Sequence, residues 1–334
     1  MTGVKHRVKQ VLNGERPVVT SPASDLPPEF LKRLEHIVAP DDQNLIKSFM
    51  AQPRPMSIRL TDATLNIDEV SDALRDVGYE PSKIPWMPEA LLLTPADRSL
   101  VREVDYYQRG SIFIQSLSSM AAVEAMQIQP GHDVLDCCAA PGGKTSLMRY
   151  RQKGKGILVA NDLSRRRLQK LKSVLEQHRI TRVDLQAQAA ETLGGSHANC
   201  FDRVLLDAPC SGEGRFHVSN PSSWADWETG KIRRLCKLQQ RLLRSALQTL
   251  RPGGVLIYAT CTLAPEENEV VLAKVMANPP VQVELERVEL DCPGLRAAHG
   301  SWDGQDFPDW MSLACRIVPE QGMTPFFMAR IRRI

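Results

Sequence analysis

From Gly131 onward the chain alternates short apolar runs with helical stretches. The runs are "HDVLDCC", "GILVAND", "VDLQAQ", "FDRVLLD" and "VLIYATC". Helical patterns follow Gly143, Ser164, Thr229 and Pro265, and Ser164 is a good N-cap for "RRRLQKLKSVLEQH". Alternation of this kind is that of a doubly wound parallel sheet. Such sheets bind ligands beyond the carboxyl ends of their strands. The loop after Asp136, and with it Cys210 and Cys261, falls on that one edge. The two cysteines can then face each other across one crevice.

Upstream the texture differs. "LPPEFLKRLEHIV" has apolar residues at spacings of three, after prolines suited to a helix start. "PMSIRLTDATLN" reads as a strand, and "IDEVSDALRDVG" as a helix ended by Gly78. The expected organisation is a flexible basic arm over residues 1–25, a small α+β domain over 26–104 and the α/β domain over 105–334. The arm is free of acids up to Glu15, so a cleaved organelle presequence is its other reading.

Composition excludes several classes. No apolar run approaches the roughly 18 residues of a membrane span. The 8 cysteines form no CxxC pair and no zinc-spaced cluster with histidine, so no metal is expected. Cys137 and Cys138, adjacent in an expected strand, should point to opposite faces. Reduced thiols fit a cytoplasmic protein, or a mitochondrial one if its source is eukaryotic. Net charge is only +3, but "SRRRLQKLK", "KIRRLCKLQQRLLR" and "ARIRRI" are basic stretches that can attract phosphate backbones. Any one alone reads equally as a solvated helix face.

The chemistry sits at the strand ends. "GGKT" is not a phosphate-binding P-loop, because the glycine required five positions before the Gly-Lys pair is Cys138. Asp136, Cys138, Ala140 and Gly142 instead fall at every second position, an acid followed by small residues. That makes a tight strand-to-helix turn which a ligand can approach closely. Asp162 ends the next strand at the distance of a ribose-binding acid. Cys210 lies in a loop of proline and glycines, and Cys261 precedes a helix expected near Pro265, whose N-terminus would lower its thiol pKa. One cysteine at a strand end is ordinarily a packing residue; two, each beside polar turn formers, are candidate reactive groups.

"DCCAAPGGKT", "NDLSRRR", "DAPCSGEG" and "ATCTLAPEENE", in that order, resemble the signature motifs of the NOL1/NOP2/Sun family of RNA cytosine-5 methyltransferases. "GSIFIQSLSSM", "PPEFLKRL", "MSIRLTDATLN" and "PFFMARIRRI" extend the resemblance from about residue 25 to the end. The likeness is to bacterial ribosomal-RNA enzymes of the RsmF type, whose extra C-terminal domain is not expected here. It implies a class I, Rossmann-like methyltransferase fold, with a mostly parallel seven-stranded sheet whose last strand, "PFFMARIRRI", is antiparallel. It implies S-adenosylmethionine as cofactor, an RNA substrate (ribosomal or transfer RNA) and a monomer.

By that resemblance Cys261 is the nucleophile, Cys210 assists release and Asp207 holds the cytosine edge. Cys138, Ala139, Ala140, Pro141, Gly142, Gly143 and Lys144 would line the methionine end of the cofactor. Asp162 would take the ribose, with Arg167 beside it. Relatives usually carry an acid where this chain has Ala189; Gln188 could substitute through its side-chain carbonyl. Two readings compete: a DNA cytosine-5 methyltransferase, for which no Glu-Asn-Val motif is present, and a catalytically silent RNA-binding or assembly factor of the same fold.

Overall fold

The computed structural model describes residues 26–95 and 97–334; the expected basic arm lies outside them. Two helices come first, α1 (Pro28–Ile37) and α2 (Pro40–Ala51), each with proline in its first turn, where the missing N–H costs nothing. Then follow β1 (Met56–Leu60), α3 (Ile67–Asp76), β2 (Glu80–Lys83), β3 (Ala90–Thr94), α4 (Arg98–Val101), α5 (Asp105–Gln108) and β4 (Ile112–Ile114). The Asn66 side chain caps α3 by accepting from the Asp68 amide, and Gly78 closes its far end in left-handed backbone. The four strands form an antiparallel sheet in the order β2-β3-β1-β4. Its edge strand β4 lies beyond the boundary expected at residue 104.

The second sheet begins after α6 (Leu117–Glu124). β5 (Val134–Asp136), α7 (Gly143–Arg151), β6 (Leu158–Asn161), α8 (Arg165–Gln177), β7 (Asp184–Gln186), α9 (Leu193–Ser196), β8 (Phe201–Asp207), α10 (Thr229–Thr249) and β9 (Leu250–Thr260) alternate as expected. Beyond α11 (Glu269–Met276) come β10 (Val283–Glu286), β11 (Leu295–Ala297), the hairpin of β12 (Ser301–Trp302) and β13 (Gln305–Asp306), β14 (Cys315–Ile317) and β15 (Phe326–Arg333). The sheet order is β11-β14-β15-β9-β8-β5-β6-β7, with β10 added on β15. β5 to β9 pair in parallel and β15 runs antiparallel to β9. The fold is therefore the expected Rossmann-like one with nine strands rather than seven. β10, β11 and β14, all antiparallel, extend the β15 side and carry no clear apolar alternation that would have announced them.

Both faces of the sheet are covered. On β15, Phe327, Ala329 and Ile331 enter one core while Phe326 and Met328 enter the other; β9 divides likewise, Leu256 and Tyr258 against Val255, Ile257 and Ala259. Near-continuous apolar runs are what a doubly covered sheet requires. The chain order reverses at β5, between β6 and β8, so a crevice opens at the carboxyl edge.

The two units are tied twice. Phe30 of α1 packs edge-on against Phe216 and Trp227, and Arg33 makes a two-pronged pair with Glu266 at 2.9 and 3.0 Å. Arg59 of β1 is fully buried and donates to Gln115 Oε1 (2.8 Å), Gly143 O (3.1 Å) and Ser146 Oγ (2.7 Å). A buried guanidinium is tolerable only with its donors satisfied in this way.

Candidate active site

Asp136 closes β5, and the turn after it carries the small residues. Gly142 adopts φ +112°, a backbone conformation that residues with a Cβ rarely take, so the turn favours glycine there; a Cβ would also crowd Leu171 Cδ1 on α8 at 2.5 Å. α7 starts at Gly143 with no side-chain cap, leaving amides of its first turn to the cleft. Cys137 and Cys138 lie past the end of β5 rather than within it, and both pack on the same core. The expected opposition of their side chains assumed a strand through both residues, and the strand stops at Asp136.

The carboxyl of Asp136 is buried; Oδ2 accepts from Thr145 Oγ1 at 2.7 Å and Oδ1 has no protein partner. Burial pushes its pKa up to about 7. Asp162, 3% exposed just past β6, accepts from the Ser164 amide (3.0 Å) and the Ala140 amide (3.3 Å). Arg167 pairs with it at 2.8 Å and donates to Ala140 O at 2.6 Å, pinning the turn to α8.

The two cysteine loops are laced to each other. From the β8 side, the Ser211 hydroxyl meets Thr262 Oγ1 at 2.7 Å and the Gly214 amide donates to Cys261 O at 2.9 Å. A Cβ on Gly214 would stand 2.7 Å from Pro325 O, so glycine is required there too. Glu213, fully buried, accepts from Trp227 Nε1 (3.0 Å), Thr262 Oγ1 (3.0 Å) and the Leu263 amide (3.1 Å). Glu267 accepts from the Ser211 amide at 3.0 Å and from Gln239 at 2.8 Å. The outcome is Cys210 Sγ and Cys261 Sγ 3.3 Å apart, both half-buried.

The pair is polarised. Cys261 is pulled down to about 7, first by the hydrogen bond from Cys210, then by the charges of Arg215 and Lys144, against burial and Asp207. Cys210 is pushed well up by the same bond and by burial. The expected helix at Pro265 is a 3₁₀ turn, Pro265–Glu267, and α11 begins only at Glu269, so cations rather than a helix end favour the thiolate. Lys144 Nζ lies 2.7 Å from Asp207 Oδ2 and 3.3 Å from Ser119 Oγ.

A cleft of about 1070 Å³ is lined by Asp136, Cys138, Lys144, Asp162, Asp207 and Cys210; Gly142 and Cys261 are not on its wall, Cys261 standing in contact with Cys210. Ala139, Ala140, Pro141, Gly143 and Arg167 also lie on its wall. Gln188 is not on it: its amide bonds Gln186 and Ser196 instead, and the acid on that wall is Glu191. Arg215 also lines the cleft and was not singled out in the sequence, since a charge in a loop does not show its direction.

Among the described residues no cluster suited to a metal occurs, and no helix is long and apolar enough to cross a membrane.

Residues 123–332 match the family model of 16S rRNA methyltransferase RsmB/F. The chain is 32% identical over 308 residues to the tRNA (cytosine(49)-C(5))-methyltransferase of Pyrococcus abyssi, covering 90% of this chain and 96% of that protein. It is 33% identical over 253 residues to ribosomal RNA small subunit methyltransferase F of Aeromonas salmonicida, 74% of this chain but 53% of that one. It thus spans about half the length of that second relative. Among solved structures, a methyltransferase homolog protein from Pyrococcus horikoshii superposes with TM-score 0.75 at 29% identity, over 92% of this chain and 100% of that one. NSun6 from Pyrococcus horikoshii with SFG, 20% identical, shares the fold with TM-score 0.75 over 92% and 98%.

Proposed function

Since the chain belongs to the RsmB/F family of 16S rRNA methyltransferases, we propose that it methylates carbon 5 of a cytosine in RNA from S-adenosylmethionine, through a covalent bond between Cys261 and carbon 6. One observation carries the reading: a polarised thiol pair 3.3 Å apart beside the Lys144–Asp207 pair, at a cleft with a glycine turn and a ribose-type acid.

The cleft fits the cofactor. The unpartnered, buried Asp136 Oδ1 is an acceptor, or when protonated a donor, held for a polar ligand. Asp162 retains a free lone pair on Oδ1 for a ribose hydroxyl. The backbone from Cys138 to Gly143 and the first turn of α7 would hold the methionine end, and Glu191 stands on the wall where Gln188 was expected. When bound, S-adenosylmethionine supplies an electrophilic methyl group.

The residues of the chain do the rest. Carbon 5 of cytosine is a weak nucleophile. The Cys261 thiolate forms a bond to carbon 6, and the displaced ring electrons make carbon 5 reactive. Asp207, fixed by Lys144, holds the amine edge of the ring while charge develops there. The bond to carbon 6 removes the thiolate charge and the hydrogen bond, two of the causes that raise the Cys210 pKa, while burial remains. Cys210, its own proton lost to solvent, can then take the proton from methylated carbon 5. The electron pair re-forms the ring double bond and the carbon–sulfur bond breaks, returning Cys261. A base reaches this site only by leaving its stack.

The substrate read first is ribosomal RNA, after the family. Transfer RNA is the second reading, favoured by coverage of nearly the whole archaeal tRNA enzyme against about half of the ribosomal one. The test is methyl transfer from labelled cofactor to total RNA, followed by bisulfite sequencing of RNA from cells with and without the protein. Label in DNA, or in no nucleic acid, would overturn the proposal.

A further inference from the structure

Behind the cofactor turn lies a second concavity, of about 460 Å³, that the chemistry above does not use. It is walled by the N-terminal unit on one side and by the ends of α7 and α8 on the other. Arg109, Arg149, Lys153, Arg179 and Arg182 line it, against a single carboxylate, Asp62. For a chain whose whole net charge is +3, that is a strong local excess.

Most of the cations have no ion-pair partner among the described residues. Arg109 pairs with Asp105, but among the described residues Lys153, Arg179 and Arg182 make no ion pair, and all three are exposed. Arg149 is 6% exposed; it donates to Gly156 O at 3.1 Å and to Arg182 O, and its buried Nε has no partner. Burial, then the Arg182 charge, lowers the Arg149 pKa, so like charges face each other here. Five cations against one carboxylate are unfavourable unless a further anion joins them. The groove also abuts the catalytic cleft. Phe113 lines the cleft and His178 lines the groove, and their rings, 4.7 Å between centroids, form the partition.

We propose that this groove binds successive backbone phosphates of the RNA substrate, outside the nucleotide that enters the cleft. The cations stand on three separate segments, which suits a chain of phosphates better than one small anion. The inference rests on an RNA substrate but not on the fate of the cytosine.

The test uses the full chain and fluorescein-labelled poly(C), by anisotropy across a salt titration. Arg179→Glu with Arg182→Glu should weaken binding at least tenfold. The slope of log affinity against log salt should flatten by about 1.4, about 0.7 for each single-strand phosphate that is no longer neutralised. A local structural role would not move that slope. Arg179→Gln with Arg182→Gln should fall between, and Lys153→Glu alone should act in the same direction should the double variant not fold. Unchanged affinity and slope in variants that fold would overturn the groove, as would equal competition by inorganic phosphate at the concentration of RNA phosphate. Cofactor binding, read by calorimetry, should stay at the wild-type value. A wild-type protein that binds poly(C) through the groove yet methylates no RNA would sink the catalytic reading and leave this one standing.

Discussion

The sulfurs of Cys210 and Cys261 stand 3.3 Å apart on loops that leave neighbouring parallel strands. Such a contact lets one thiol ionise at the other's expense, and the two should therefore fail differently. Cys261→Ala is expected to abolish both methylation and any covalent RNA adduct. Cys210→Ala should form the adduct and not resolve it, giving a protein–RNA band that survives a denaturing gel. A band with Cys261→Ala alone would reverse the two roles.

In the proposed reaction Cys261 acts as the thiolate, and its pKa is drawn down to about 7. Turnover on RNA should thus decline as pH falls through that value, because the thiol then holds its proton. Arg215 is one source of the depression. Arg215→Gln should move the acid limb of the pH–rate profile to higher pH, and an unmoved limb would assign the depression elsewhere.

Lys144 and Asp207, 15% and 24% exposed at the side chain, form a pair on the cleft wall, where the proposed reaction puts the cytosine. Lys144→Met removes a positioned charge where charge develops. Single-turnover methyl transfer should slow by about 10²–10³-fold, with Lys144→Arg recovering part of the loss. A rate within a factor of a few of wild type would make the pair a packing feature.

Asp162→Ala should weaken S-adenosylmethionine binding by about 1–3 kcal/mol, the cost of leaving buried polar partners unmatched. RNA binding should hardly change. Calorimetry on the purified chain decides it, and equal affinities would reject Asp162 as the ribose ligand.

Much of this site was legible because parallel-sheet topology turns chain order into position. An acid or cysteine at the end of an apolar run had to reach the carboxyl edge, and Asp136, Asp162, Asp207 and Cys210 do. Less legible was whatever depended on the direction of a loop. Arg215 is visible as a residue, but its approach to Cys261 depends on Glu213, held by Trp227, Thr262 and Leu263 from distant parts of the chain. Gln188 was expected on the cleft by its position next to Ala189, yet hydrogen bonds to Gln186 and Ser196 hold it aside. The edge strands were hidden for another reason: "VELE" and "LRA" pair through their backbones and bury little, so no periodicity marks them.

Arg59 has a bearing on how such a chain can be taken apart. Its guanidinium belongs to the N-terminal sheet, but two of its acceptors, Gly143 O and Ser146 Oγ, belong to the helix that opens the cofactor turn. A chain joined in this manner has no seam at which to cut. A foreign N-terminal unit grafted onto this catalytic sheet would need its own arginine in the same place, or it would strand polar atoms in a dry interior beneath the glycine turn. The N-terminal sheet and the sheet that carries the cleft would thus have to be exchanged as one piece.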